Sequence, residues 1–184
     1  MLRWLVGLVL VGCGPVSSFR PASGLMPDRR IEAGFGLSQV SPRPYVTEDP
    51  ASAGQAWLSG DVVRGFALTG IAAFDDDAAA GGLAARFTPL RFDRFAAGFE
   101  QEVGYAWFAT STPLALRLFD QTWLYSAPRL GTWGADMSFM VGLGASVRIY
   151  DGLMLRAEWQ RSWQDFKYYN RRDHHGLAIA HQFP

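Results

Sequence analysis

Residues 133–150 alternate without a break. Ala135, Met137, Phe139, Val141, Leu143, Ala145, Val147 and Ile149 share one parity, while Gly134, Asp136, Ser138, Met140, Gly142, Gly144, Ser146 and Arg148 share the other. Eight consecutive apolar positions on one face, opposed by small or polar ones, require an extended strand with two chemically different sides. Strands of soluble sheets usually run about 5–6 residues. A tilted strand that crosses a bilayer needs about 9–11, so this stretch suits a membrane strand with an extension beyond it.

The same period of two recurs from Ile31 onward. Ile31, Ala33, Phe35 and Leu37 make one apolar face, and Phe66, Leu68, Gly70, Ala72 and Phe74 another. Leu83, Ala85 and Phe87 follow, then Phe95, Ala97, Phe99, Val103, Tyr105 and Trp107, then Leu114, Leu116 and Leu118. Leu153, Leu155, Ala157 and Trp159, and finally Leu177, Ile179 and Phe183, complete the series. If residues 55–74 form one long bent strand, the chain has eight strands; a turn at Ser59-Gly60-Asp61 would make nine. Closed single-chain bacterial barrels take even numbers, so eight is expected. Arg64, Gln101 and Asp120 fall on the apolar parity; the first two are read as interfacial, and Asp120 implies a parity switch near Phe119.

The distribution of charge decides between water and lipid. A soluble sandwich carries its charges on the outward face. Here the more apolar face has almost none, and the charges sit among Gly, Ala and Ser on the other. Lipid outside and a packed polar interior produce that inversion. An open sheet edge in lipid would leave backbone groups unpaired, so the sheet must close. The expected fold is therefore an all-β, eight-stranded antiparallel up-and-down transmembrane β-barrel over residues 31–184. Eight strands leave no wide channel, and side chains fill the inside. The inward charges would be Glu32, Asp61, Arg86, Glu100, Glu102, Arg117, Asp136, Arg148, Arg156 and Glu158, read as a structural salt-bridge network.

Composition agrees. The 184 residues carry 17 Lys+Arg and 17 Asp+Glu, for no net charge, with 49% hydrophobic and 14% aromatic residues. Intrinsic disorder and a basic nucleic-acid surface are excluded. A single cysteine excludes an internal disulfide framework and a Cys-rich zinc site.

That cysteine closes the N-terminal signal. Arg3 precedes a short apolar run, too short to span a bilayer, which reads as the h-region of a secretory signal. Leu10-Val11-Gly12-Cys13 resembles the lipobox of bacterial lipoproteins. The resemblance implies cleavage after residue 12, acylation of Cys13 and firm membrane anchoring by several acyl chains. Residues 14–30, punctuated by Pro15, Pro21 and Pro27, read as a flexible tether.

Tyr150-Asp151-Gly152 is a tight Asp-Gly hairpin. It is expected on the periplasmic side with the N-terminus, together with the connections at 111–113 and 75–82. The longer segments 41–54 and 165–173 are expected to face outward. Trp57, Trp123, Trp133, Trp159, Trp163, Tyr105, Tyr125, Tyr168 and Tyr169 are read as interfacial belts. Residues 142–159 resemble a hairpin of the OmpA-like small outer-membrane β-barrel family: a Gly-rich strand, a short turn, then Leu153-Met154-Leu155-Arg156-Ala157-Glu158-Trp159. Phe183 resembles the terminal aromatic of the outer-membrane insertion signal, displaced one place by Pro184. The resemblance implies a bacterial outer-membrane barrel with a structural or surface-interaction role.

Enzymes that modify lipid A exist among such barrels, and the deacylases among them use a His-x-Ser element. None of His174, His175 and His181 has a serine two residues on. His174-His175 beside Asp173, with Ser162 across the hairpin, are the weak catalytic candidates. Adjacent histidines in a strand point to opposite faces, so no metal site is expected. No phosphate loop and no cofactor are expected either. Outer-membrane lipids are the expected partners, with further contacts through the loops and none to nucleic acid. A lipid-modifying enzyme and a lipid-tethered, lipocalin-like periplasmic carrier stand as the alternatives.

Overall fold

The computed structural model describes residues 20, 29–45, 47, 49–75, 78–105, 107–133, 136–167 and 170–184. Twelve strands form one antiparallel sheet: β1 (Ile31–Val40), β2 (Ala51–Val63), β3 (Phe66–Asp75), β4 (Ala79–Arg91), β5 (Phe95–Gly104), β6 (Trp107–Ser111), β7 (Leu114–Phe119), β8 (Thr122–Ser126), β9 (Arg129–Trp133), β10 (Asp136–Tyr150), β11 (Leu153–Gln164) and β12 (Arg171–Phe183). The first and last strands pair in register from Ile31↔Phe183 to Val40↔His174, and this closes the sheet into a barrel. Ten strands make the ring, which runs β1 to β6 and then β9 to β12. The expected eight is corrected to ten.

β7 and β8 stand outside that ring of ten. They form a hairpin that continues β6 and β9 and closes the same gap further along the wall, between β5 and β10. The interruption has a covalent cause. Pro113 and Pro128 lack the N–H that a ladder needs. Gly98 N–H donates to the Pro113 carbonyl at 2.9 Å, and Thr112 N–H donates to the Pro128 carbonyl at 3.0 Å. On either side the break continues. β4 is bulged between Phe87 and Leu90, and on β10 the Gly142 carbonyl accepts from Ser126 Oγ at 2.6 Å. A Cβ on Gly98 would lie 2.6 Å from the Phe87 carbonyl oxygen, so this close approach requires glycine. The seam crosses the wall from Pro89 to Gly142.

Three further corrections concern turns and connections. Residues 55–74 are a hairpin rather than one strand, and its turn is Arg64-Gly65 rather than Ser59-Gly60-Asp61. A bulge between Asp61 and Val63 restores the register, so even-numbered residues face outward on both β2 and β3 and the alternation never betrays the turn. Gly65 takes φ +84° there. Residues 111–113 are the seam, not a connection. The β3–β4 connection lies at the end opposite the start of β1 and the end of β12, not with them. The start of β1 and the end of β12 share their end with the short turns at 64–65, 92–94, 120–121 and 151–152. Segments 41–50 and 165–170 are at the other end.

The wall is inside out relative to a soluble protein. Twenty polar or charged side chains are buried among the described residues, against fifteen apolar ones. Outside, Phe35, Leu58, Leu83, Phe99, Phe108, Leu143, Leu155 and Leu177 are exposed on strands all around the ring. Of the residues off the apolar pattern, Arg64 and Asp120 occupy turns. Gln101 keeps its outward place because its amide donates to the Ala109 carbonyl at 2.9 Å and accepts from Thr110 Oγ1 at 3.0 Å. Trp57 and Tyr125, read as belt aromatics, point inward and are buried, whereas Trp159 faces out. Trp107 also points inward, because the β5–β6 register pairs Glu102 with Ala109 and so reverses the parity.

Inward aromatics are seated on glycines. Trp57 covers Gly34, Trp107 covers Gly82 and Gly104, and Tyr125 covers Gly144. A Cβ at Gly104 would fall within the Trp107 ring. Gly104→Val is therefore expected to cost about 1–3 kcal/mol through overpacking. The check is the temperature at which the folded form is lost on a detergent gel, which should fall relative to Val103→Ala on the outer face.

Candidate functional site

The lumen holds the chemistry of this chain. Alternation places Glu32 on the inner face of β1, Arg156 and Glu158 on β11, Arg86 on β4, and Glu100 and Glu102 on β5, all buried. Two guanidinium–carboxylate groups organise them.

The first straddles the closure of the barrel. Arg156 Nη1 and Nη2 donate to Glu32 Oε1 and Oε2 at 2.8 and 2.7 Å, the bidentate geometry that matches a planar guanidinium to a carboxylate. Trp57 Nε1 donates to Glu32 at 2.9 Å and Gln182 Nε2 at 2.7 Å. The Arg156 guanidinium lies 5.8 Å from the Trp57 ring centroid, and its Nε is 3.3 Å from Ser146 Oγ. One carboxylate thus ties β1, β2, β11 and β12 together.

The second group lies on β5. Arg86 Nε and Nη2 donate to Glu100 Oε2 at 2.7 and 2.6 Å. Arg129 of β9 pairs with Glu102 Oε2. Arg20, which belongs to no strand, is 2% exposed and reaches Glu102 Oε1 at 2.5 Å and Glu100 Oε1 at 3.3 Å. The buried charges among the described residues are four Glu and four Arg. Desolvated charges in such numbers persist only when matched and hydrogen-bonded, which is what the geometry provides.

The other expected network residues lie elsewhere. Asp61, Arg117 and Arg148 are half-buried, and Asp136 is exposed at the rim. Arg129, Trp57, Gln182 and Arg20 are the members that sequence reasoning missed. Arg129 sits in a five-residue strand too short to show a period, and Arg20 lies in what reads as tether. Cys13 and residues 1–12 lie outside the described residues, as do Tyr168 and Tyr169.

The histidine candidates separate. Ser162 Oγ and His174 Nε2 are 2.8 Å apart across the β11–β12 pair, both buried. Asp173 faces the other way and is held by Arg161 at 2.7 and 3.0 Å. His175 is exposed on the outer face. His174 Nδ1 has no hydrogen-bond partner among the described residues, so no carboxylate orients the ring as a hydrolytic base requires. No group of three or more His, Cys, Asp or Glu able to hold a metal occurs among the described residues.

Neither a protein-family model nor a curated protein sequence matches this chain. Solved structures do. The chain is similar to the KdgM porin in complex with disordered oligogalacturonate, with a TM-score of 0.52 at 8% identity over 83% of this chain and 99% of that one. It is also similar to the translocator domain of the autotransporter NalP from Neisseria meningitidis, with a TM-score of 0.50 at 9% identity over 88% and 91% of the two chains. The fold is that of the small outer-membrane β-barrels.

The Glu32–Arg156 pair supplies a direct test of the lumen. Arg156→Met leaves a buried carboxylate without its counterion and is expected to cost about 3–5 kcal/mol. Adding Glu32→Gln to it should recover part of that loss. The urea midpoint of the purified barrel in detergent checks both, and equal midpoints for single and double variants would contradict the pairing.

Proposed function

We propose that the protein is an integral bacterial outer-membrane β-barrel, anchored in addition by lipid on Cys13, with a structural or surface-interaction role. The observation that carries this is the inversion of the wall. Apolar side chains cover the outside around the whole ring, and matched charges fill the inside. An exposed apolar surface of that extent marks a membrane-facing one. Closure of the sheet satisfies the backbone that lipid would leave unpaired. In this reading the end where β1 begins and β12 ends, which carries the short turns, faces the periplasm. Segments 41–50 and 165–170 then face the exterior and present the interaction surface.

The lumen network is structural filling in this reading. It also weighs against a lipocalin-like carrier, whose interior must accept an apolar guest. The Ser162–His174 contact favours a second reading, a lipid-modifying enzyme, but with both side chains buried and Asp173 turned outward it supports that reading less well. Under the proposed role, Ser162→Ala leaves the lipid A profile of the expressing strain unchanged.

The deciding measurement is a carbonate wash of membranes that carry the Cys13→Ala form. The barrel should stay in the pellet and migrate differently on detergent gels before and after boiling. Release into the supernatant would overturn the membrane-spanning reading and leave only a tethered β domain.

A further inference from the structure

Glu100 and Glu102 are two residues apart on one strand, so their side chains stand side by side on the inner wall. Each divides its oxygens in the same way. The Oε2 atoms go to arginines of other strands, Arg86 on β4 and Arg129 on β9. The Oε1 atoms both turn to a single nitrogen, Nη2 of Arg20. Arg86 and Arg129 are fixed by their places in the ladder. Arg20 has no such place, and withdrawing its side chain breaks no strand pairing.

The ion pairing is arranged around the same atoms. Among the buried charges, the strands contribute Glu32, Glu100, Glu102 and Glu158 against Arg86, Arg129 and Arg156. On the wall Arg86 pairs with Glu100 and Arg129 with Glu102, and Arg20 is a third guanidinium brought to the same two carboxylates from outside the strands. A desolvated carboxylate oxygen left without a donor is costly, so a cation whose N–H group reaches both Oε1 atoms is favoured. Two acceptors converging on one N–H₂ group, in a desolvated site, suit a guanidinium better than a compact ammonium, whose hydration is stronger.

We propose that the Oε1 atoms of Glu100 and Glu102 form a guanidinium-binding site inside the barrel, which the chain's own Arg20 occupies as a built-in ligand. The site takes alkylguanidinium cations when Arg20 is absent. This inference does not depend on the membrane reading, since the barrel alone carries it.

The test uses the full chain in detergent, with methylguanidinium as the probe. Arg20→Ala is expected to unfold roughly 5 °C below the native protein. Millimolar methylguanidinium should raise it again, in step with the logarithm of concentration. Sodium at equal ionic strength should not. Titration calorimetry should give one equivalent bound to Arg20→Ala and none to the native chain. Arg20→Ala combined with Glu100→Gln and Glu102→Gln should lose the binding. If Arg20→Ala fails to fold alone, its refolding yield in methylguanidinium against sodium is the readout, and a selective gain supports the site. An unchanged melting temperature in Arg20→Ala, equal rescue by sodium, or binding that survives loss of both carboxylates would overturn it.

Discussion

Everything in this chain follows from the pairing of its first strand with its last. Each backbone N–H and C=O is an obligatory hydrogen-bonding group, and a sheet with two free edges leaves a row of them at each. The register from Ile31↔Phe183 to Val40↔His174 removes both edges at once. Arg30 N–H extends it by donating to the Phe183 carbonyl at 3.0 Å. Side chains then fasten the same joint from inside. Glu32 on the first strand is held by Gln182 on the last and by Arg156 on the strand before it. Backbone closure and the first charge network are therefore one device seen from two sides of the wall.

Closure also dictates where polarity goes. Once the sheet is a ring, alternation leaves only an inside and an outside, and each strand sends half of its side chains to each. Ten strands around the ring give a lumen large enough for arginine, glutamate and tryptophan together. Glycines at 34, 82, 104 and 144 make room for Trp57, Trp107 and Tyr125, so the interior is packed by pairing large residues with absent ones. The packing that a soluble protein achieves with aliphatic side chains is achieved here with matched charges and aromatic rings.

The alternation of 136–150 and 153–164, and the inverted distribution of charge, were legible in the sequence and led to a closed barrel with Glu32, Arg86, Glu100, Glu102, Arg156 and Glu158 inside. The strand count was not, and the reasons are physical. Parity is continuous through Arg64-Gly65 because a bulge offsets the turn, so two strands read as one. Parity reverses at the β5–β6 turn without any break in hydrophobicity, which sent Trp107 to the wrong face. Residues 122–133 are cut by Pro128 into two pieces of five, each too short to display a period. Arg20 carries no local signal at all, since its partners are eighty or more residues away in sequence and are brought near only by the closed ring.

The seam at Pro89, Gly98, Pro113, Pro128 and Gly142 divides one part of the wall into two stacked pieces. Between β5 and β10 the gap is bridged twice, by β6 and β9 nearer one end and by the β7–β8 hairpin nearer the other. Each bridge covers its own height of the wall, so both are needed to leave no strand edge unpaired. The hairpin is thus a tile that fills the part of the gap that β6 and β9 do not reach. Lengthening its tip at residues 120–121 alters the tile without altering the circumference of the barrel.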